Sequence, residues 1–478
     1  MILLQRGNEI AVLRVEISSP AESAENADSP DGTQQRTAAI FLRHARRTER
    51  APVFIAFAGG CSPVIFIFFK FRRISHRAIQ YQQLCLIFTL KFNHQNALDR
   101  SDMHFGESAC VGKAPFTIND PLMAHLFEPL HLREIELQHR ILVSPMCQYS
   151  SENGFANEWH FVHLGSRAVG RAAAVLTEAT AVTADGRISP DDLGIWDDSH
   201  IEPLQRIFSF ISQQGSIPGM QLAHAGRKAS TSAPWKGGKP LSPEQGGWSP
   251  IFGPSALAFA EGYQVPRELS KGEIRGIVEA FAAAARRAEA AGVKIIELHA
   301  AHGYLLHSFL SPLSNHRKDE YGGSFENRVR LACEVVDAVR QVWPERYPLF
   351  LRISSTDWTD GGWTVEESVA LARILKRHGV DLFDCSSGGN IATARIPLGA
   401  GYQVEFAERV RQQAGVLTGA VGMITEPAQA DQIVRTSQAD VVFLARQFLR
   451  DPYWPLLAAR ALGHTITWPS QYERARLK

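Results

Sequence analysis

The stretch SKGEIRGIVEAFAAAARRAEAAGVKIIELH, Ser270–His299, decides how this chain folds. Ser270 followed three residues later by Glu273 is a capping box, which satisfies two orphan donors at a helix N-terminus. Ile274, Ile277, Val278, Phe281 and Ala285 then recur at helical spacing, giving the helix one apolar face. Lys294–His299 follows as a nearly continuous apolar run, the pattern of a parallel strand buried on both faces.

The same alternation runs outward in both directions. Candidate strands are Arg140–Met146, Ala173–Glu178, Pro218–Ala223, Lys294–His299, Leu349–Ser354, Asp381–Ser386, Val416–Gly422 and Asp440–Ala445. A second capping box, Thr364 with Glu367, opens the helix after the fifth strand. Eight strand–helix units predict an α/β fold, a TIM (β/α)8 barrel whose site lies at the C-terminal ends of the strands. A doubly wound sheet competes, but no Gly-x-Gly-x-x-Gly turn follows any of these strands.

The chain has 478 residues, 45% hydrophobic and 21% charged, with a net charge of +1. That balance, without a long Lys/Arg stripe, excludes an obvious nucleic-acid partner. Cys61, Cys85, Cys110, Cys147, Cys333 and Cys385 are widely spaced, which points to reduced thiols in a cytoplasmic protein. Residues 1–122 carry no sustained period and read as a disordered or non-native extension, with Met123 the candidate start of the domain 123–478. Within the extension, Ala51–Phe69 is an uncharged run of 19 residues, long enough for a membrane span. Pro52, Pro63 and Gly59-Gly60 argue against it as a helix, and no membrane contact is expected.

Chemistry-capable residues fall at the strand ends. The first strand runs into Ser144-Pro145-Met146-Cys147-Gln148-Tyr149, where a free Cys is as readily a core residue as a functional one. Gln221, near the end of the third, carries an amide that could pair with a heterocycle or merely cap the barrel interior. The fourth ends in His299-Ala300-Ala301-His302-Gly303-Tyr304, where two imidazoles and a phenol suit oxyanion stabilisation and proton transfer. The alternative is a metal-dependent barrel hydrolase, with His160 and His163 as a second HxxH pair, although no helical HExxH is present. Arg352 sits amid an apolar strand, which is costly unless it faces an anion or an electron-rich ring. Gly388, Gly422 and Arg446 follow the sixth, seventh and eighth strands, and glycine amides plus one Arg make a phosphate site. One such site without a dinucleotide fingerprint implies a bound mononucleotide.

Several motifs together resemble one family. They are Ser144-Pro145-Met146-Cys147 with Tyr149, His299-x-x-His302-Gly303-Tyr304, and Asn315-x-Arg317-x-Asp319-x-Tyr321-Gly322-Gly323-Ser324-x-x-Asn327-Arg328, then Ala420-Val421-Gly422-Met423 with Arg446. From about Leu126 to Arg474 the chain resembles the old yellow enzyme family, in its thermophilic-like and xenobiotic-reductase branch of ene-reductases. The resemblance implies FMN as cofactor and NADPH or NADH as reductant. It implies that Ser144, Pro145, Met146, Cys147, Ala179, Gln221 and Arg352 surround the flavin, and that Gly388, Gly422 and Arg446 hold its phosphate. Tyr149 would lie beside the substrate, an enone or nitro compound whose oxygen His299 and His302 would bind, with Tyr304 as proton donor and Cys147 tuning the flavin. Arg474 would complete the pocket of a neighbouring subunit in a homodimer or homotetramer. Ala445 departs from the branch, which usually has Gly before the phosphate-site Arg.

Overall fold

The computed structural model describes residues 125–476 and, before them, the backbone of five strands. Eight strands close a barrel: β1 (Ile141–Val143), β2 (Ala174–Ala181), β3 (Ile217–Ala223), β4 (Ile295–Ala300), β5 (Leu349–Ser354), β6 (Leu382–Ser386), β7 (Leu417–Val421) and β8 (Val441–Leu444). Every neighbouring pair is parallel, and β8 pairs β1 to complete the ring. All eight strands expected from the sequence are present, with ends that differ from expectation by no more than three residues and with Leu349–Ser354 matching at both ends. The doubly wound alternative is excluded by that closure, since an open sheet would leave two edges.

The helix expected from Ser270 spans Lys271–Ala290, with Ser270 Oγ accepting from the Glu273 amide at 3.3 Å and Glu273 accepting from the Ser270 amide at 2.9 Å. Its buried residues Ile274, Ile277, Phe281 and Ala285 pack with Val335 and Val339 of helix Phe325–Val342 and with the outward faces of the strands. Burying a side chain such as Phe281 stabilises the layer by about 1.5–3 kcal/mol. Ser270→Ala should therefore cost about 1 kcal/mol through the lost cap, read as a lower urea midpoint with an unchanged slope.

Inside the barrel, Leu142, Leu176, Ile295, Phe350, Leu382 and Phe443 form a separate apolar floor. Leu132 and Leu137, from the antiparallel hairpin Leu130–Leu132 and Ile135–Leu137, join that cluster beside residues at the strand starts, so the hairpin seals the N-terminal end. Between the pairs Gly219–Leu176 and Gln221–Ala179 the register shifts by one, a bulge that places an extra residue in β2 just below the mouth.

The chain divides into two compact units, Met1–Ala114 and Pro115–Lys478. In the first, Ile2–Arg6 pairs Glu9–Leu13, and Val53–Ala56, Val64–Ser75 and Ala78–Thr89 form an antiparallel sheet. The run Ala51–Phe69 thus contributes to two strands and not to a helix, as its prolines, glycines and β-branched and aromatic residues favour. The remainder of the extension 1–122 lies outside the described residues. Among the described residues no helix is long and apolar enough to cross a membrane.

Candidate active site

The first strand delivers its loop to the barrel mouth, where β2 holds it. Tyr149 takes a left-handed φ of 47°, and the Gln148 amide donates to Glu178 at 2.8 Å. Glu178 in turn lies 3.2 Å from the ring of His160, so a carboxylate of β2 and a helix histidine clamp the loop from behind. Cys147 and Tyr149 pack with Tyr304 and Trp248 against Ala179, Ile188, Ala223 and Ala225. Burial, then the negative charge of Asp192, pushes the Cys147 thiol well above its ordinary range. Ser144 is fully buried with its hydroxyl unpartnered, while Pro145 and Met146 stay half-buried beside it.

Beyond β4 the three expected side chains converge. The His299 ring stands 5.2 Å from that of His302 and 5.0 Å from that of Tyr304, edge to face in both cases. His302 takes φ 58° and Gly303 φ 73°. Only glycine fits at 303, because a Cβ there would meet the Gly389 carbonyl oxygen at 2.4 Å. The His302 amide donates to Ser354 Oγ at 2.9 Å, and the His302 ring Nε2 lies 2.7 Å from Ser386 Oγ. Burial, followed by the charge of Arg352, holds both imidazoles well below their ordinary value, and burial keeps the Tyr304 phenol well above its own. At neutral pH the site therefore offers neutral hydrogen-bond donors. His299 Nδ1 is buried with no partner, the condition of a group kept for a ligand.

Beneath them Gln221 Nε2 donates to Glu297 at 2.7 Å, and Arg352 Nε lies 3.0 Å from Asp384. On the opposite side of the mouth, Ser387 donates to Gln403 at 2.6 Å while Gln403 donates to the Val421 carbonyl at 3.1 Å, tying the Gly388 and Gly422 loops together. Gly388 (φ 68°) and Gly422 (φ 120°) both need the left-handed region. Arg446 is exposed at the start of the short helix Arg446–Arg450, and burial pushes the Tyr402 phenol in the same loop cluster up, with the charge of Arg446 opposing that rise. Arg474 is exposed on the turn Ser470–Ala475.

Four contributors escaped the sequence reading. Glu178, Ser386 and Gln403 are ordinary residue types whose role depends on cross-strand neighbours. Lys228 is the fourth: its ammonium donates to the carbonyls of His302 at 2.9 Å and Gly389 at 3.1 Å and stands 5.0 Å from the Tyr304 ring centre. Its position directly after Arg227 in the β3 loop was the available signal. The hydrolase alternative fails on geometry. His160 serves Glu178 on one helix, His163 is buried elsewhere on it, and among the described residues no three His, Cys, Asp or Glu side chains could hold a metal together. The long motif Asn315–Arg328 lies outside the mouth. Asn315 holds the carbonyls of Phe309 and Tyr321 at 2.7 Å each, and Arg317 pairs Asp319 at 2.6 Å, so its residue types serve a buried loop.

Comparison with known proteins agrees with this geometry. The NADH:flavin oxidoreductase / NADH oxidase family model matches residues 125–463. The NADPH dehydrogenase of Geobacillus sp. (strain WCH70) is 48% identical over 351 residues, covering 73% of this chain and 98% of that protein. That of Bacillus subtilis (strain 168) is 46% identical over 351 residues, with the same coverage of 73% and 98%. Among solved structures, morphinone reductase superimposes with a TM-score of 0.59 at 26% identity, over 72% of this chain and 91% of that one. A 2-naphthoyl-CoA reductase gives 0.64 at 25% identity, over 71% of this chain and 52% of that one. With its closed barrel, its His-His-Tyr mouth and this match, the chain belongs to the NADH:flavin oxidoreductase family, that of old yellow enzyme.

Proposed function

We propose that this flavin oxidoreductase is an ene-reductase, using NADPH or NADH to reduce the activated C=C bond of an α,β-unsaturated carbonyl compound, and nitro compounds as secondary substrates. The observation that carries the reading is the convergence of His299, His302 and Tyr304 as neutral donors in a water-poor mouth. The residues present fit FMN. Ser144 Oγ is buried without a partner, Gln221 brings an amide, Arg352 a cation, and Gly388, Gly422 and Arg446 an anion-binding corner. Pro145, Met146, Cys147 and Ala179 complete the wall around the ring system. Bound FMN supplies the hydride-carrying redox chemistry.

The protein's own part is positioning and polarisation. His299 and His302 donate to the substrate's carbonyl oxygen, and those bonds strengthen as negative charge develops there. Tyr304 delivers a proton to Cα, and Tyr149 lines the substrate side. Tyr304→Phe should lower turnover with 2-cyclohexenone about a hundredfold while leaving FMN affinity unchanged. The reading as a whole is tested by anaerobic titration with NADPH followed by 2-cyclohexenone. Bleaching of the flavin band and its return on enone addition is expected, and a band that stays bleached would refute ene-reduction.

Residues 123–478 carry this activity, with 1–122 standing outside it. The reduced thiols favour a cytoplasmic setting. A homodimer or homotetramer would let Arg474 reach a neighbouring mouth, consistent with its exposure.

A further inference from the structure

Between the apolar floor and the mouth lies a layer of four polar side chains. Gln221 of β3, Glu297 of β4 and Asp384 of β6 are 0–1% exposed, and Arg352 of β5 is 7% exposed. The layer holds two carboxyl groups and one permanent cation. Arg352 Nε lies 3.0 Å from Asp384, a charge contact without hydrogen-bond alignment, whereas Glu297 receives only the neutral Gln221 amide, at 2.7 Å, and its Oε2 has no partner. A second buried carboxylate without a cation is costly, so the layer must hold a proton. The titratable and charged groups facing Glu297 are Arg352 on the neighbouring strand β5 and Asp384 on β6, with His299 one layer above on its own strand.

We propose that Glu297 is a positioning residue of the redox reaction, which acts through Gln221 and Arg352 and, in alkaline solution where it has lost its proton, takes one up when a hydride arrives at the mouth. The inference rests on the FMN site described above. A hydride brings two electrons and one proton, so a neutral acceptor gains one negative charge. That charge competes with Asp384 for Arg352. A solvent proton then forms an O–H bond on the Glu297 carboxylate and restores the balance of the layer. Protonated, Glu297 can donate as well as accept, and Gln221 keeps its hold.

The sign sets the pH window. Burial, then the charge of Asp384, pushes the Glu297 carboxyl up to about 8, so below that pH it carries its proton before and after reduction. Above it, reduction and proton uptake are linked.

The test is the midpoint potential of the bound flavin against pH, from pH 6 to 9.5, in the holoenzyme, in E297Q and in E297D. For wild type, the slope above pH 8 should be about twice that below it, because one more proton accompanies the same two electrons. E297Q should keep the shallow slope throughout, and E297D should restore the break at a shifted pH. A single slope in wild type, or a break that persists in E297Q, would overturn the proposal. If E297Q failed to hold FMN, the break in wild type and its displacement in E297D would still decide the matter. Failure of the enone to reoxidise the enzyme would refute the ene-reductase reading and leave this measurement standing.

Discussion

His299→Ala combined with His302→Ala should lower kcat/KM for 2-cyclohexenone by about a thousandfold or more, with flavin absorbance and FMN affinity intact. Removing one preorganised donor to a developing oxyanion costs about 10²–10³ in rate, and here both donors go at once. The two rings lie 5.2 Å apart in a site that keeps them neutral, so neither can substitute for the other by taking on charge. Their removal also leaves Ser386 without its 2.7 Å partner. The decisive comparison is with an electron acceptor that has no carbonyl group, such as dioxygen. Its reduction needs no carbonyl polarisation, so it should fall far less. Equal loss with both acceptors would show that the histidines hold the cofactor and do not activate the substrate.

Arg352→Met should destabilise the folded apoprotein by about 3–5 kcal/mol at pH 8, the usual cost of stripping the partner from a buried ion pair. Burial already raises the Asp384 carboxyl above its unfolded value, and Arg352 is the influence that offsets this. Without Arg352 the carboxyl rises further. A carboxyl whose folded value exceeds its unfolded value binds more protons in the folded state, so stability falls as pH climbs through that window. The deficit should therefore be largest at pH 8 and shrink toward pH 5, as followed by urea denaturation. A deficit independent of pH would mean that lost packing of the long side chain, not the stranded charge, is responsible.

The strands were legible because parallel strands in a barrel are apolar on both faces and need no partner to be recognised. The capping boxes at Ser270 and Thr364 were legible because their chemistry is confined to four residues. His299, His302 and Tyr304 could be read together because a single strand end carries them all. Glu178, Gln403 and Lys228 could not. Each matters through a contact with a loop from another strand, and beyond the placement of Lys228 next to Arg227 nothing local sets them apart from surface residues. The motif from Asn315 to Arg328 shows the converse. It names the family most sharply, yet its side chains tie a loop together away from the mouth.

The setting of Cys147 bears on the survival of the catalyst among its own substrates. Enones and maleimides are alkylating agents that capture sulfur nucleophiles, and the attacking species is the thiolate. A cysteine in the mouth of an enzyme that gathers such compounds would be an early casualty if it ionised readily. Here burial among Ala179, Tyr149 and Tyr304, with Asp192 nearby, keeps the sulfur protonated. The same apolar wall that shapes the pocket thus protects the sulfur from covalent capture by the α,β-unsaturated carbonyl compounds proposed as substrates.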